Sequence, residues 1–212
     1  MKFITVSYFA DPKGSDYYRK SAERLAVTLD RLGLERDIQE IANRGSYREN
    51  CIFKPVFILR EMLGSRYPLL WLDADSNLLR YPSDLVELPD DIDIALSTPD
   101  GNLARAKASP LFFNYHPKSL EFLCAWIDRI EVHSRKGAVS FDHEPLLEVL
   151  VEFAGRMRIC DVGPEYCVQE THQCQRSMIS MGISKSDSKN RALLKMREQE
   201  RKVQVRRRLA RR

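Results

Sequence analysis

An α/β domain built on a mostly parallel central sheet is the fold the sequence predicts, and three observations predict it. Short apolar or β-branched runs alternate with amphipathic helical stretches in β-α-β-α-β order through the first half. One run, Pro68-Leu69-Leu70-Trp71-Leu72, is continuously apolar, as a strand buried on both faces must be. It stops at Asp73-Ala74-Asp75, as a central strand does when its carboxyl end opens onto a polar site. With 212 residues and 43% hydrophobic content, the chain can bury one sizeable core without disulfides.

Phe3-Ile4-Thr5-Val6-Ser7-Tyr8-Phe9 is dense in β-branched and aromatic residues and is stopped by Asp11-Pro12-Lys13-Gly14, so it reads as a buried strand. A helix follows over 17–32, with Ala22, Leu25, Ala26, Leu29 and Leu32 at helical spacing and Gly33 as its stop. Residues 34–41 read as a second strand. Beyond Gly45-Ser46 an amphipathic segment places Ile52, Val56, Leu59 and Leu63 on one side, provided Pro55 falls in a first turn, and Gly64 ends it. After the 68–72 strand, residues 91–97 and 110–115 predict two more strands, 117–130 and 144–153 two helices, and 157–160 a last strand. No internal repeat and no second core is visible. Residues 190–212 favour a helix but carry only scattered apolar positions, which predicts an exposed or frayed one.

The formal net charge of +4 hides a split. Residues 185–212 hold 12 basic and 3 acidic side chains, net +9, which leaves 22 basic and 27 acidic in the body, net −5. Any argument for polyanion binding therefore belongs to the tail. The expected organisation is one catalytic domain over 1–182 and a basic tail over 183–212. Cys51, Cys124, Cys160, Cys167 and Cys174 are odd in number with no Cys-x-x-Cys pair, which argues against a disulfide framework or zinc knuckle. No apolar stretch approaches the ~20 residues of a membrane helix, and the first residues lack a signal region. A cytoplasmic location is expected.

Asp73 and Asp75, two apart, share one face of a regular strand, and two adjacent carboxylates at a strand end call for a cation with hard oxygen ligands, Mg²⁺ or Mn²⁺. The same pair is equally what an Asp-rich loop would show. Trp71-Leu72-Asp73-Ala74-Asp75-Ser76-Asn77-Leu78-Leu79 sets the motif between a buried strand and a second apolar stretch. On these residues the chain resembles the nucleotide-sugar glycosyltransferases of the A-type fold, the nucleotide-diphospho-sugar transferase superfamily. The resemblance extends over 1–182 as an ordered set of features and implies a Rossmann-like three-layer domain. It also implies that Asp73 and Asp75 hold a metal bridging the diphosphate of a sugar donor, a uridine diphosphate sugar.

Further residues follow from that resemblance. Tyr8, Phe9 and Ala10, at the end of the first strand, stand where the base and ribose are held, with an aromatic ring either stacking on the base or packed in the core. Lys54 matches a lysine that precedes the helix leading to the Asp-x-Asp strand, either facing the donor or solvated. Asn114 ends a strand that lines the donor sugar pocket. Asp142, in Asp142-His143-Glu144, falls at an acidic position near the transferred sugar, with His143 departing from the superfamily's pattern; Asp142 is also a good N-cap. His172 is placed as a third metal ligand and Arg176 as a diphosphate contact.

The implied reaction is transfer of the sugar to an unknown acceptor hydroxyl, with the leaving diphosphate neutralised by the ion, Arg176 and Lys54. Asp142 and Glu144 are the candidates for a base if the enzyme inverts. Two alternatives stand beside this reading. A metal-dependent nucleotidyltransferase would also use paired aspartates at a strand end; a phosphoryl-transfer enzyme of the P-loop type is disfavoured by the missing Gly-rich Lys-Ser/Thr loop. A non-enzymatic protein would bind polyanions or an anionic membrane surface through the basic tail.

Overall fold

The computed structural model describes residues 2–137, 141–169 and 172–181. The basic tail, 183–212, lies outside the described residues. Strand β1, Ile4–Phe9, carries β-branched and aromatic residues on a run whose interior is buried on both faces. The helix after it, α1 (Tyr17–Arg31), is capped from a distance: Asp16 at its start makes no side-chain cap bond. Asp11 accepts instead from the backbone N–H of Tyr18 at 2.8 Å and of Arg19 at 3.2 Å. Gly33, at φ +66°, closes the helix as its sequence position predicts, with Leu34 N–H donating to the Leu29 carbonyl at 3.0 Å.

Strand β2 (Arg36–Glu40) is followed by two helices where one segment was expected, α2 (Tyr47–Ile52) and α3 (Lys54–Ser65). Pro55 is the physical reason. It lacks an N–H and fits only a first turn, so the chain restarts a helix at Lys54. Gly64 does not end α3; Arg66 does, in the left-handed region at φ +57°, its N–H bonded to the Met62 carbonyl at 2.9 Å. The buried face is also rotated from expectation. Phe57, Ile58 and Met62 are buried, whereas Val56 is 39% and Leu63 52% exposed.

The remaining elements are β3 (Leu69–Trp71), β4 (Ser76–Leu78), α4 (Ser83–Val86), β5 (Ile94–Leu96), β6 (Leu111–Phe113), α5 (Pro117–Arg135), α6 (His143–Phe153), β7 (Ile159–Asp161), β8 (Val168–Gln169) and β9 (Ile179–Met181). The central sheet runs β2-β1-β3-β6-β5-β7. All its strands share one direction except β6, which is antiparallel to both β3 and β5. A second sheet, β4-β9-β8, was not foreseen, because its strands are two or three residues long and show no period.

Period-two alternation divides the core into two layers of contact. Val6, Leu69, Trp71, Ile94, Leu96, Leu111 and Phe113 face Phe57 and Met62 of α3, Phe122 and Trp126 of α5 and Val149 and Phe153 of α6. Leu70, Ala95 and Phe112 face the other way, with Leu25 and Leu29 of α1, Leu78 of β4 and Ile179 of β9. Helices and a small sheet thus cover both faces of a mostly parallel sheet, the three-layer architecture expected. All five cysteines are free. Among the described residues no helix is long and apolar enough to cross a membrane.

Candidate functional site

The helix restart at Pro55 puts Lys54 at the N-terminus of α3, which abuts the carboxyl ends of the parallel strands. Its side chain is buried, an unfavourable place for a cation both by desolvation and by the positive end of the helix. Three oxygens compensate. Lys54 Nζ lies 3.0 Å from Asp73 Oδ1 and 2.6 Å from Asp142 Oδ2, and donates to the Ala108 carbonyl at 3.2 Å. Burial pulls the ammonium's pKa down, and Asp142 and Asp73 together overcome it and hold it above the usual lysine range.

Asp73 is fixed from several directions. Strand β3 ends at Trp71, so the Asp-x-Asp motif is a turn rather than the regular strand assumed, closed by Ser76 N–H on the Asp73 carbonyl at 2.8 Å. Burial still alternates, with Ala74 buried between the two half-buried carboxylates. Trp71 Nε1 donates to Asp73 Oδ1 at 3.0 Å, and the Asp73 N–H to Ser109 Oγ at 3.0 Å. Asp142 occupies the N-cap position of α6 yet makes no cap bond with its side chain, which goes to Lys54 instead. Its carbonyl accepts from Trp126 Nε1 at 2.8 Å.

Other groups crowd the same end of the sheet. Burial, then Asp142, pushes the Cys51 thiol up to about 12, and Lys54 pulls the other way. Burial, then Asp75, raises Tyr18, and burial, then Cys51, raises Tyr47. Cys167 is pushed up to about 11 by burial, against the nearby Lys107 charge, with Asp73 and Asp75 adding to the rise. Cys51, Tyr18, Tyr47, Cys167, Lys107 and Ser109 were not singled out from sequence. Most follow the carboxyl ends of strands, and that position was the one signal that could have found them.

Several expected residues stand elsewhere. The Tyr8 ring is buried against Phe53, Phe57 and Trp71, with centroids 5.0–5.8 Å away, and its hydroxyl donates to the Asn50 carbonyl at 2.5 Å. Tyr8 is thus a core residue, not a base platform. Phe9 is half-buried with the Arg19 guanidinium 5.6 Å from its ring centre, and Ala10 is buried. Asn114 is corrected outright. It follows β6, whose reversed direction pairs Phe113 with Leu69 and Leu111 with Trp71, so Asn114 lies at the end of the sheet away from Asp73. Its amide serves backbone there, donating to the Asp90 carbonyl at 2.8 Å and accepting from Tyr115 N–H at 2.9 Å.

Glu144 is exposed and accepts from Phe141 N–H at 3.1 Å, and His143 Nε2 meets the Ala106 carbonyl at 2.7 Å. His172 and Arg176 are exposed in the loop before β9. Among the described residues no group of three His, Cys, Asp or Glu side chains is placed to hold a metal, so His172 is not brought into such a group with Asp73 and Asp75. The antiparallel β4–β9 register pairs Leu78 with Ile179 and Ser76 with Met181. Arg176 therefore approaches the Leu78 end of the small sheet, away from Asp75.

No protein-family model matches the chain, and no curated protein does. Among solved structures, the crystal structure of a glycosyltransferase involved in the glycosylation of the major capsid of PBCV-1 is similar, with a TM-score of 0.63 and 14% identity. The match covers 84% of this chain and 93% of that one. The two share a fold.

Proposed function

We propose that this chain is a glycosyltransferase that moves a sugar from a nucleoside diphosphate sugar, a uridine diphosphate sugar in the first instance, to an acceptor hydroxyl with the aid of Mn²⁺ or Mg²⁺. The observation that carries the reading is the Lys54 ammonium joining Asp73 of the Asp-x-Asp turn to Asp142 at the head of α6. Carboxylates from two distant parts of the chain converge on the carboxyl end of the sheet, where α/β domains bind ligands. The shared fold with a glycosyltransferase supports the same choice.

Asp73 and Asp75 are hard oxygen donors that fit such an ion, with the rest of its shell supplied by diphosphate oxygens and water, as these ions favour. Bound there, the ion supplies positive charge against the leaving diphosphate. The chain's own residues do the rest by position. Lys54 neutralises Asp73 and Asp142 and holds both in place, Trp71 and Ser109 orient Asp73, and Asp142 presents a fixed carboxylate toward a sugar hydroxyl.

Isothermal titration with uridine diphosphate tests the reading. Binding is expected only with Mn²⁺ or Mg²⁺ and is expected to vanish in Asp75→Ala; equal binding without metal overturns it. Turnover of a uridine diphosphate sugar should release nucleoside diphosphate, whereas pyrophosphate as the product would make the chain a nucleotidyltransferase.

A further inference from the structure

Resting on that reading, we infer that Tyr47 and Phe141 form a stacking platform for a pyranose ring at the mouth of the site. The two rings come from separate elements, Tyr47 from the first turn of α2 and Phe141 from the segment just before α6. Their centroids are 5.8 Å apart at 56°, an open angle that leaves a shallow aromatic corner. Tyr47 is 47% exposed. Phe141 is half-buried.

With one ring exposed and the other half-buried, the corner presents apolar ring surface to solvent. Its neighbours point to sugar. Phe141 adjoins Asp142, which is buried and paired with Lys54, and the exposed Glu144 carboxylate accepts from the Phe141 N–H at 3.1 Å, so one exposed hydroxyl acceptor lies beside the apolar surface. The axial C–H face of a pyranose is apolar and its rim is a ring of hydroxyls, which is the complement of that arrangement. A flat base would suit the rings alone but would make no use of the exposed Glu144 carboxylate, which repels phosphate and accepts from hydroxyl donors.

The ring can be the donor's sugar or the acceptor's, and the test separates the two. Saturation-transfer difference NMR is run on the full chain with three probes: uridine diphosphate with Mg²⁺, uridine diphosphate glucose with Mg²⁺, and a panel of methyl pyranosides and disaccharides. Sugar-ring C–H protons are expected to receive saturation in the second arm if the donor stacks there, or in the third if the acceptor does. Tyr47→Ala and Phe141→Ala are expected to weaken that sugar binding about tenfold, and Tyr47→Phe to retain it. Base-proton saturation from uridine diphosphate should be unchanged in both alanine variants, which shows that they are folded. Unchanged sugar-ring saturation in the alanine variants, or none in any arm of the wild type, overturns the platform. Missing base saturation in the first arm overturns the nucleotide-sugar reading, and sugar-ring saturation in the third arm is then still read by itself.

Discussion

A buried lysine at a helix N-terminus is stable only while its counter-charges stay in place, and Lys54 has two. Lys54→Met is expected to destabilise the fold by about 3 kcal/mol, because it strands the buried Asp142 carboxylate. Adding Asp142→Leu should recover most of that loss; a urea midpoint unchanged in the single variant contradicts the linkage. Two hydroxyls on β1 have the opposite expectation. Among the described residues Thr5 Oγ1 and Ser7 Oγ are buried with no hydrogen-bond partner, so Thr5→Val should stabilise by about 1 kcal/mol in the same assay. At this scale residue type was legible and partner was not. Lys54, Asp73 and Asp142 were readable as candidates, but nothing local shows that one ammonium joins the other two.

At the scale of elements, α3 shows how far periodicity reaches. Apolar residues at Val56, Phe57, Ile58, Leu59, Met62 and Leu63 cover more than half of the helix circumference, so more than one face satisfies the helical spacing. The structure selects Phe57, Ile58 and Met62 because α3 packs on the sheet at Trp71 and on α5. Val56→Glu and Leu63→Glu should each change stability by no more than about 0.5 kcal/mol, whereas Phe57→Ala should cost about 3–5 kcal/mol. Thermal or urea unfolding of the three variants checks the choice. Strand β6 teaches the complementary point: its three apolar residues identify a buried strand and say nothing of its direction. The resemblance placed Asn114 at the end of a strand lining the donor pocket, whereas the antiparallel pairing sets Asn114 at the other end of the sheet and Ser109 beside Asp73.

For the whole molecule, the crowding of protonated groups at one end of the sheet gives stability a pH dependence. Cys51 and Cys167 have ordinary thiol values of 9.0 that folding pushes up to about 12 and about 11, in both cases chiefly by burial. The Tyr18, Tyr47 and Lys54 values are raised as well. Raised values mean that the folded chain binds more protons than the unfolded one once the pH passes 9. This contribution is therefore complete below pH 9 and lost as pH climbs toward 12. The thermal midpoint should be level from pH 7 to 9 and fall beyond it, less steeply in Cys51→Ser; a level midpoint to pH 11 contradicts the assignment. The charge split makes a separate expectation. Deleting 185–212, net +9, should leave uridine diphosphate binding intact and abolish salt-dependent retention on heparin.

The sequence by itself determined the alternation of strands and helices, the buried run that ends in Asp73 and Asp75, and the acidic body with a basic tail, because each is written in neighbouring residues. Only the tertiary structure decided that β6 runs backwards, that Asn114 lies at the end of the sheet away from the Asp-x-Asp turn, and that Lys54 binds Asp73 to Asp142. Those facts depend on which strand edges pair and on the desolvation of charges from distant segments. Both are energies of the assembled core, and no local pattern carries them.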